Sequence, residues 1–297
     1  MSSQVSKAHK NNEPPTRISG NKNVEIVIEE DAENLIASLK HEELTWPDIE
    51  MIWAKTTGYR LNHLRSTNFS PSEIHKTWPQ YMQPLGYKLI DIDFKRLHEK
   101  YDDLLSSYDK SYLKLVQIID ERIKDPSCRK ILESMMKTNN APENHKNAVV
   151  LYVIHGLFVP TTKKAFTDLN GRKCFHKFSI KDSQNTFMIV ANTAIEVEEI
   201  LKIRKNDKIP IQPCLLVVGT ILKPSQIMVY FDESKYVFFS IIKALDMCFK
   251  IYHLFNIEYP IESISVWLFI QNFFYNIKLP FDKPCPLIKQ IISELKS

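Results

Sequence analysis

Residues 213–277 read PCLLVVGTILKPSQIMVYFDESKYVFFSIIKALDMCFKIYHLFNIEYPIESISVWLFIQNFFYNI. Two β-branched and aromatic runs come first, Cys214–Thr220 and 226–231, with the composition that suits a pleated, half-buried surface. A third run, 236–239, follows the charged bend 232–235, so 226–239 is predicted to be a hairpin. Gly219 opens the turn, 219–225, that joins the first run to the second. After Ser240, a residue able to cap a helix, the period changes to 3.6. Ile241, Leu245, Cys248, Phe249, Tyr252 and Phe255 line one face, and Lys243, Asp246, Lys250 and His253 the other. Residues 263–277 are apolar nearly all round, which a single chain tolerates only where the helix is covered on several sides, by its own fold or by a partner. Residues 288–295 close the chain as a short helix.

Upstream, Thr186 to Ala191 reads as a strand, and 195–205 as a helix with Val197, Ile200 and Leu201 inward. The uninterrupted apolar run 148–158 has no period and fits a buried helix or a buried strand equally. Phe94, Leu97, Tyr101, Leu104 and Tyr108 form a helical stripe, extended by Leu115, Ile118, Ile119 and Ile123. One helix over 93–124 would satisfy it, as would two helices with a break near Ser106-Ser107. Ser70, Pro71 and Glu73 form a helix start signal, a cap followed by proline at the first position and an acid at the third. Trp46, Ile49, Ile52 and Trp53 mark another helix, and Leu35, Ile36 and Leu39 a short one behind an acidic segment.

These readings predict an α+β fold: an N-terminal helical region followed by a small antiparallel or mixed sheet packed by two C-terminal helices. The expected divisions are a disordered tail over 1–22, a helical region over 23–138, a linker over 139–147 and an α+β domain over 148–297. The tail is polar and carries too little apolar surface to offset its ordering entropy.

With 297 residues, 44% hydrophobic and 25% charged, the chain is long enough to bury a substantial core. Six glycines argue against glycine-loop nucleotide machinery. A formal charge of +4 is small for this length, so any nucleic-acid role must rest on local clustering. The five cysteines are odd in number and widely spaced, with no CxxC pair and no charged-then-apolar leader. This pattern predicts reduced thiols in an intracellular protein. No apolar run reaches the ~20 residues of a membrane helix, so no membrane partner is expected.

Reactive residue types are scattered, and few fall in a catalytic or metal-binding spacing. Cys174 and His176 are close, but a zinc site needs about four ligands in separated pairs, so no metal is expected. Asp91 and Asp93 read as helix-start carboxylates. Asp246, Lys250 and His253 share a helical face, which an i,i+4 ion pair on a solvated surface explains. No nucleophile elbow and no phosphate cradle are present, so neither a catalytic residue nor a cofactor is expected. Segment 161–181 stands out as a basic loop: Lys163, Lys164, Arg172, Lys173, Lys177 and Lys181 face Asp168 alone, with Phe166, Phe175 and Phe178 interleaved. Such a segment can contact phosphates while its aromatic rings stack on exposed bases.

A set of motifs also resembles a known family. They are Trp78-Pro79, the run from Gly86 to Ile90, Asp93-Phe94, the run from Phe178 to Gln184, Val217-Val218-Gly219, the run from Lys243 to Ile251, Tyr259-Pro260 and Val266-Trp267. Their order and spacing, over residues 46–277, are similar to the C-terminal region of uncharacterised animal proteins labelled sterile-alpha-motif-domain-containing protein three-like, some of them related to mobile elements. The resemblance implies no activity that can be carried to a residue of this chain.

Two functional expectations follow. The first is a non-catalytic protein–protein interaction protein, binding a protein partner or a second copy of itself through the over-apolar C-terminal helix at Trp267, Phe273 and Phe274. The second is a nucleic-acid-associated protein of mobile-element type using segment 161–181.

Overall fold

The structure is a computed structural model that describes residues 31–297 except 42, 67–69, 169–170, 207–211, 281 and 283–284. The tail expected over 1–22 lies outside the described residues.

The first half is helical. It runs through α1 (Ala32–His41), α2 (Trp46–Lys55), α3 (Thr57–Ser66), α4 (Pro71–Thr77), a 3-10 turn (Pro79–Met82), α5 (Gly86–Leu97), α6 (Leu104–Arg122), α7 (Pro126–Lys137) and α8 (Glu143–Val153). The start signal at Ser70 is a full capping box, in which Ser70 Oγ accepts the Glu73 amide and the Glu73 carboxylate accepts the Ser70 amide. Asp125 caps α7 in a similar way, just before Pro126.

The stripe over 93–124 is broken at 98–103, ahead of Ser106. Asp103 forces the new start by accepting the Ser106 amide at 2.9 Å. The Asp102 amide turns away to donate to the Tyr275 carbonyl at 3.1 Å, which ties the break to the far end of the chain. The periodless run resolves as α8 followed by a 3-10 turn at Ile154–Gly156, and every residue from 147 to 158 is buried. Burial on all sides is why it carries no hydrophobic period.

Segment 161–181 is not a loop. It forms an antiparallel ribbon of β1 (Lys163–Thr167) and β2 (Lys173–Lys177), followed by α9 (Ile180–Phe187). The main sheet is built from β3 (Met188–Ala191), β4 (Cys214–Thr220), β5 (Lys223–Phe231) and β6 (Ser234–Phe238), in that spatial order. β3 runs parallel to β4 through the crossover helix α10 (Ala194–Asn206), and the other two pairs are antiparallel. The architecture is therefore α+β with a mixed sheet. β5 begins at Lys223, earlier than the composition suggests, because a bulge at Gly219 lets pairing resume at once. Gly219 has φ +100°, and a Cβ there would lie 2.6 Å from the Lys223 carbonyl oxygen.

The period-2 pattern divides the sheet faces as strands require. Leu215, Val217, Ile227, Val229 and Phe231 join the main core, whereas Cys214, Leu216, Val218, Met228 and Tyr230 join a smaller cluster under Val197 and Leu201 of α10. Helix α11 (Ile241–Leu254) lies against the main-core side of the sheet. Helix α12 (Ile264–Phe273) packs through Trp267 on Tyr252, Tyr259 and Phe187, and α13 (Pro286–Lys296) packs on α12. One hydrophobic cluster extends from Ile36 to Ile291 and draws residues from both sides of 139–147. Among the described residues, no helix is long and apolar enough to cross a membrane.

Candidate nucleic-acid interface

The ribbon is built with almost no apolar support. Every described side chain of β1 and β2 is exposed except that of Cys174, which is half-buried. A two-stranded hairpin of this kind is marginal alone, so its anchors matter. The chain enters past buried Pro160 and leaves through buried Phe178 into the Ser179–Asp182 capping box that starts α9. At the tip, the Asp168 carboxylate accepts the Arg172 amide at 2.8 Å, and Gly171 takes φ +76° to close the turn. The single acid of the segment thus holds the turn, with its other oxygen 4.0 Å from Cys174 Sγ.

The register sets the electrostatics. Lys163 is directly opposite Lys177, Lys164 opposite His176, and Thr167 opposite Lys173. Strand alternation puts Lys163, Lys173, Phe175 and Lys177 on one face, with Phe175 62% exposed between the lysines. Like charges placed directly across a ladder destabilise it. Among the described residues, none of Lys163, Lys164, Arg172, Lys173, Lys177 and Lys181 has a carboxylate within ion-pair distance. The result is an uncompensated cationic blade with an exposed ring. Lys181 stands apart from it, on the first turn of α9, where its ammonium donates to the Tyr152 hydroxyl at 2.7 Å. Of the aromatics interleaved with these cations, Phe175 is free for stacking while Phe178 is buried as the anchor.

The partner surface expected on α12 is corrected by packing. Trp267 is 0% exposed and Phe274 1%, both inside the chain's own core, and Phe273 is half-buried against Phe269 and Phe274. The all-round apolarity of this helix is met by α11, α13 and the α9–β3 junction. The most exposed large apolar side chain among the described residues lies elsewhere: Phe239, just beyond the outer strand β6, is 99% exposed, two residues after half-exposed Val237.

Two polar groups that look unrelated in the sequence converge. Lys250 Nζ lies 2.6 Å from both Asp91 of α5 and Asp246 of α11, and Asp91 also pairs with Lys95 at 2.7 Å. The face holding Asp246, Lys250 and His253 is therefore an interior joint between α5 and α11 instead of a solvated surface. Burial disfavours charge on Asp91, but Lys250 and Lys95 outweigh it and hold that carboxyl below its ordinary range. At Asp246 burial wins over Lys250, and the carboxyl is pushed up. Further along, His253 meets His98 at 3.2 Å and the Tyr259 hydroxyl at 2.8 Å, and Tyr259 donates to Gln271 at 3.0 Å. With its ammonium saturated by two carboxylates, this network is suited to clamping helices.

Buried His155 bonds through Nδ1 to Ser183 Oγ at 2.7 Å, and burial drives its pKa down to about 3. Desolvation drives the Cys128 and Cys214 thiols up to about 12, away from thiolate chemistry. Among the described residues, no group of three or more His, Cys, Asp or Glu side chains is placed to hold a metal ion.

Against known proteins, the chain matches no family model, no curated protein and no solved structure.

Proposed function

We propose that the protein binds nucleic acid through the β1–β2 ribbon, using Lys163, Lys164, Arg172, Lys173 and Lys177 on phosphates, with Lys181 beside them. The observation that carries this reading is the opposed Lys163–Lys177 pair in a blade whose described side chains are exposed or half-buried and whose lysines and arginine pair with no acid among the described residues. Phosphates on both sides of the blade relieve that repulsion, and counterion release supplies the affinity. A two-stranded ribbon also matches the width of a duplex major groove. Contact of this kind positions the protein on the backbone without reading sequence.

The test is fluorescence anisotropy with a labelled duplex at low salt, comparing the wild type with a variant carrying Lys163→Gln, Lys173→Gln and Lys177→Gln. Binding that drops at least tenfold while the circular dichroism spectrum is unchanged supports the reading. Equal binding by the two proteins removes it.

A second reading, self-association, is favoured by Phe239 and Val237 beside the outer edge of the sheet. Edge-to-edge pairing of two copies along β6 would cover both. Light scattering then finds a dimer that Phe239→Asp converts to a monomer; a wild-type monomer at all concentrations removes this reading.

A further inference from the structure

A cleft of about 480 Å³ opens at the carboxyl ends of the parallel strands β3 and β4, where α7, α8 and α9 meet α10. That volume lies within the range of small-ligand sites, and the carboxyl end of a βαβ unit is where open α/β sheets place ligands. Its ionic groups are few and opposed. The Lys181 ammonium is steadied on one rim by the Tyr152 hydroxyl. Glu196 is already engaged, because its carboxylate accepts the Asn192 amide at 2.8 Å and closes the start of α10, so that helix terminus is not an anion site. Glu199 also lines the cleft, exposed and in no ion pair among the described residues. The lining also includes the aliphatic side chains of Ile200, Ile203 and Ile221.

A ligand that uses all of this needs apolar faces and an edge with both an acceptor, for Lys181, and a donor, for Glu199. A nucleobase with an exocyclic amino group has that edge. A free phosphate would meet Lys181 but be repelled by Glu199, and an acyl chain would leave both charges unanswered. The ribbon is adjacent: Lys177 and Lys181 are four residues apart, hence at most about 14 Å along the chain, and His176 approaches Asp182 of α9 at 3.9 Å. We infer that the cleft receives an unpaired base, adenine or cytosine in type, from a strand whose phosphates lie on the ribbon. This inference rests on the nucleic-acid reading above.

The test uses the full chain and two labelled duplexes, one blunt and one ending in four unpaired adenines. The wild type binds the tailed duplex on the order of tenfold more tightly, as one accommodated base allows. Glu199→Gln with Ile203→Ala abolishes that preference and leaves blunt-duplex affinity unchanged, whereas the ribbon variant loses both. Equal affinity for the two duplexes overturns the cleft inference and leaves the ribbon reading standing. Binding to neither duplex overturns the ribbon reading, and the cleft is then read alone by titrating adenosine or cytidine monophosphate. Methyl resonances of Ile200, Ile203 and Ile221 that shift with the nucleotide support it, and unmoved resonances overturn it.

Discussion

Arg60 Nη2 and Asp93 Oδ1 lie 2.7 Å apart with both side chains fully withdrawn from solvent. The same carboxylate accepts Trp53 Nε1 at 2.8 Å and the Tyr81 hydroxyl at 2.5 Å, so one acid joins α2, α3, the 3-10 turn and α5. Breaking a buried pair from one side leaves the other charge uncompensated. Asp93→Asn is expected to cost about 3–5 kcal/mol, as is Arg60→Met. Urea denaturation of the two single variants and the double variant measures the coupling, and a coupling near zero would contradict the account.

His155 makes folding sensitive to acid. In the folded chain it stays neutral down to about pH 3, whereas its ordinary value is 6.5. Between those values the unfolded chain binds the extra proton, so stability is full above about pH 6.5 and declines as pH falls through the window. The slope attributable to this group is on the order of 1.4 kcal/mol per pH unit. His155→Phe combined with Ser183→Ala removes both polar partners and flattens that part of the profile, as read by denaturation at pH 7 and pH 5. An unchanged slope would show that other groups set it.

The β5–β6 turn carries local strain. Asp232 and Glu233 occupy its two positions with φ of +41° and +72°, where asparagine and glycine are favoured. Relief at Glu233 is worth about 1 kcal/mol, offset in part by loss of its exposed ion pair with Lys205. Glu233→Gly is therefore expected to raise the thermal midpoint slightly. A fall of several degrees would place the strain elsewhere.

Lys250 clamps α5 to α11 through Asp91 and Asp246. Lys250→Met leaves two half-buried carboxylates facing each other, and hydrogen exchange in α5 is expected to accelerate more than in α13, which holds neither of the carboxylate partners of Lys250. Uniform acceleration across both helices would point to global destabilisation and against a local clamp.

What the sequence exposes is local. Ser70-Pro71 with Glu73 marks α4, Ser240 marks α11, and the alternation in Cys214–Thr220 distinguishes the two sheet faces, because each signal operates over a few residues. The contacts that decide the site span long separations. Lys250 is 159 residues from Asp91, so its helix face looks solvated until α5 covers it. Trp267 could be covered by its own fold or by a partner, and only tertiary packing chooses. The ribbon had an unused local signal: Asp168 to Gly171 is a turn signature between KKAFT and KCFHK. Its high charge disguised it as a loop, since strands usually show a buried face and this one has none.

If the ribbon lies on phosphates, duplex binding must weaken steeply with salt. Five cations releasing phosphate counterions give log K against log salt a slope of about −4.5, and Lys163→Gln with Lys177→Gln makes it shallower by about 2. A slope near zero, a slope unchanged by those two substitutions, or no binding at low salt would contradict the ribbon as a nucleic-acid interface.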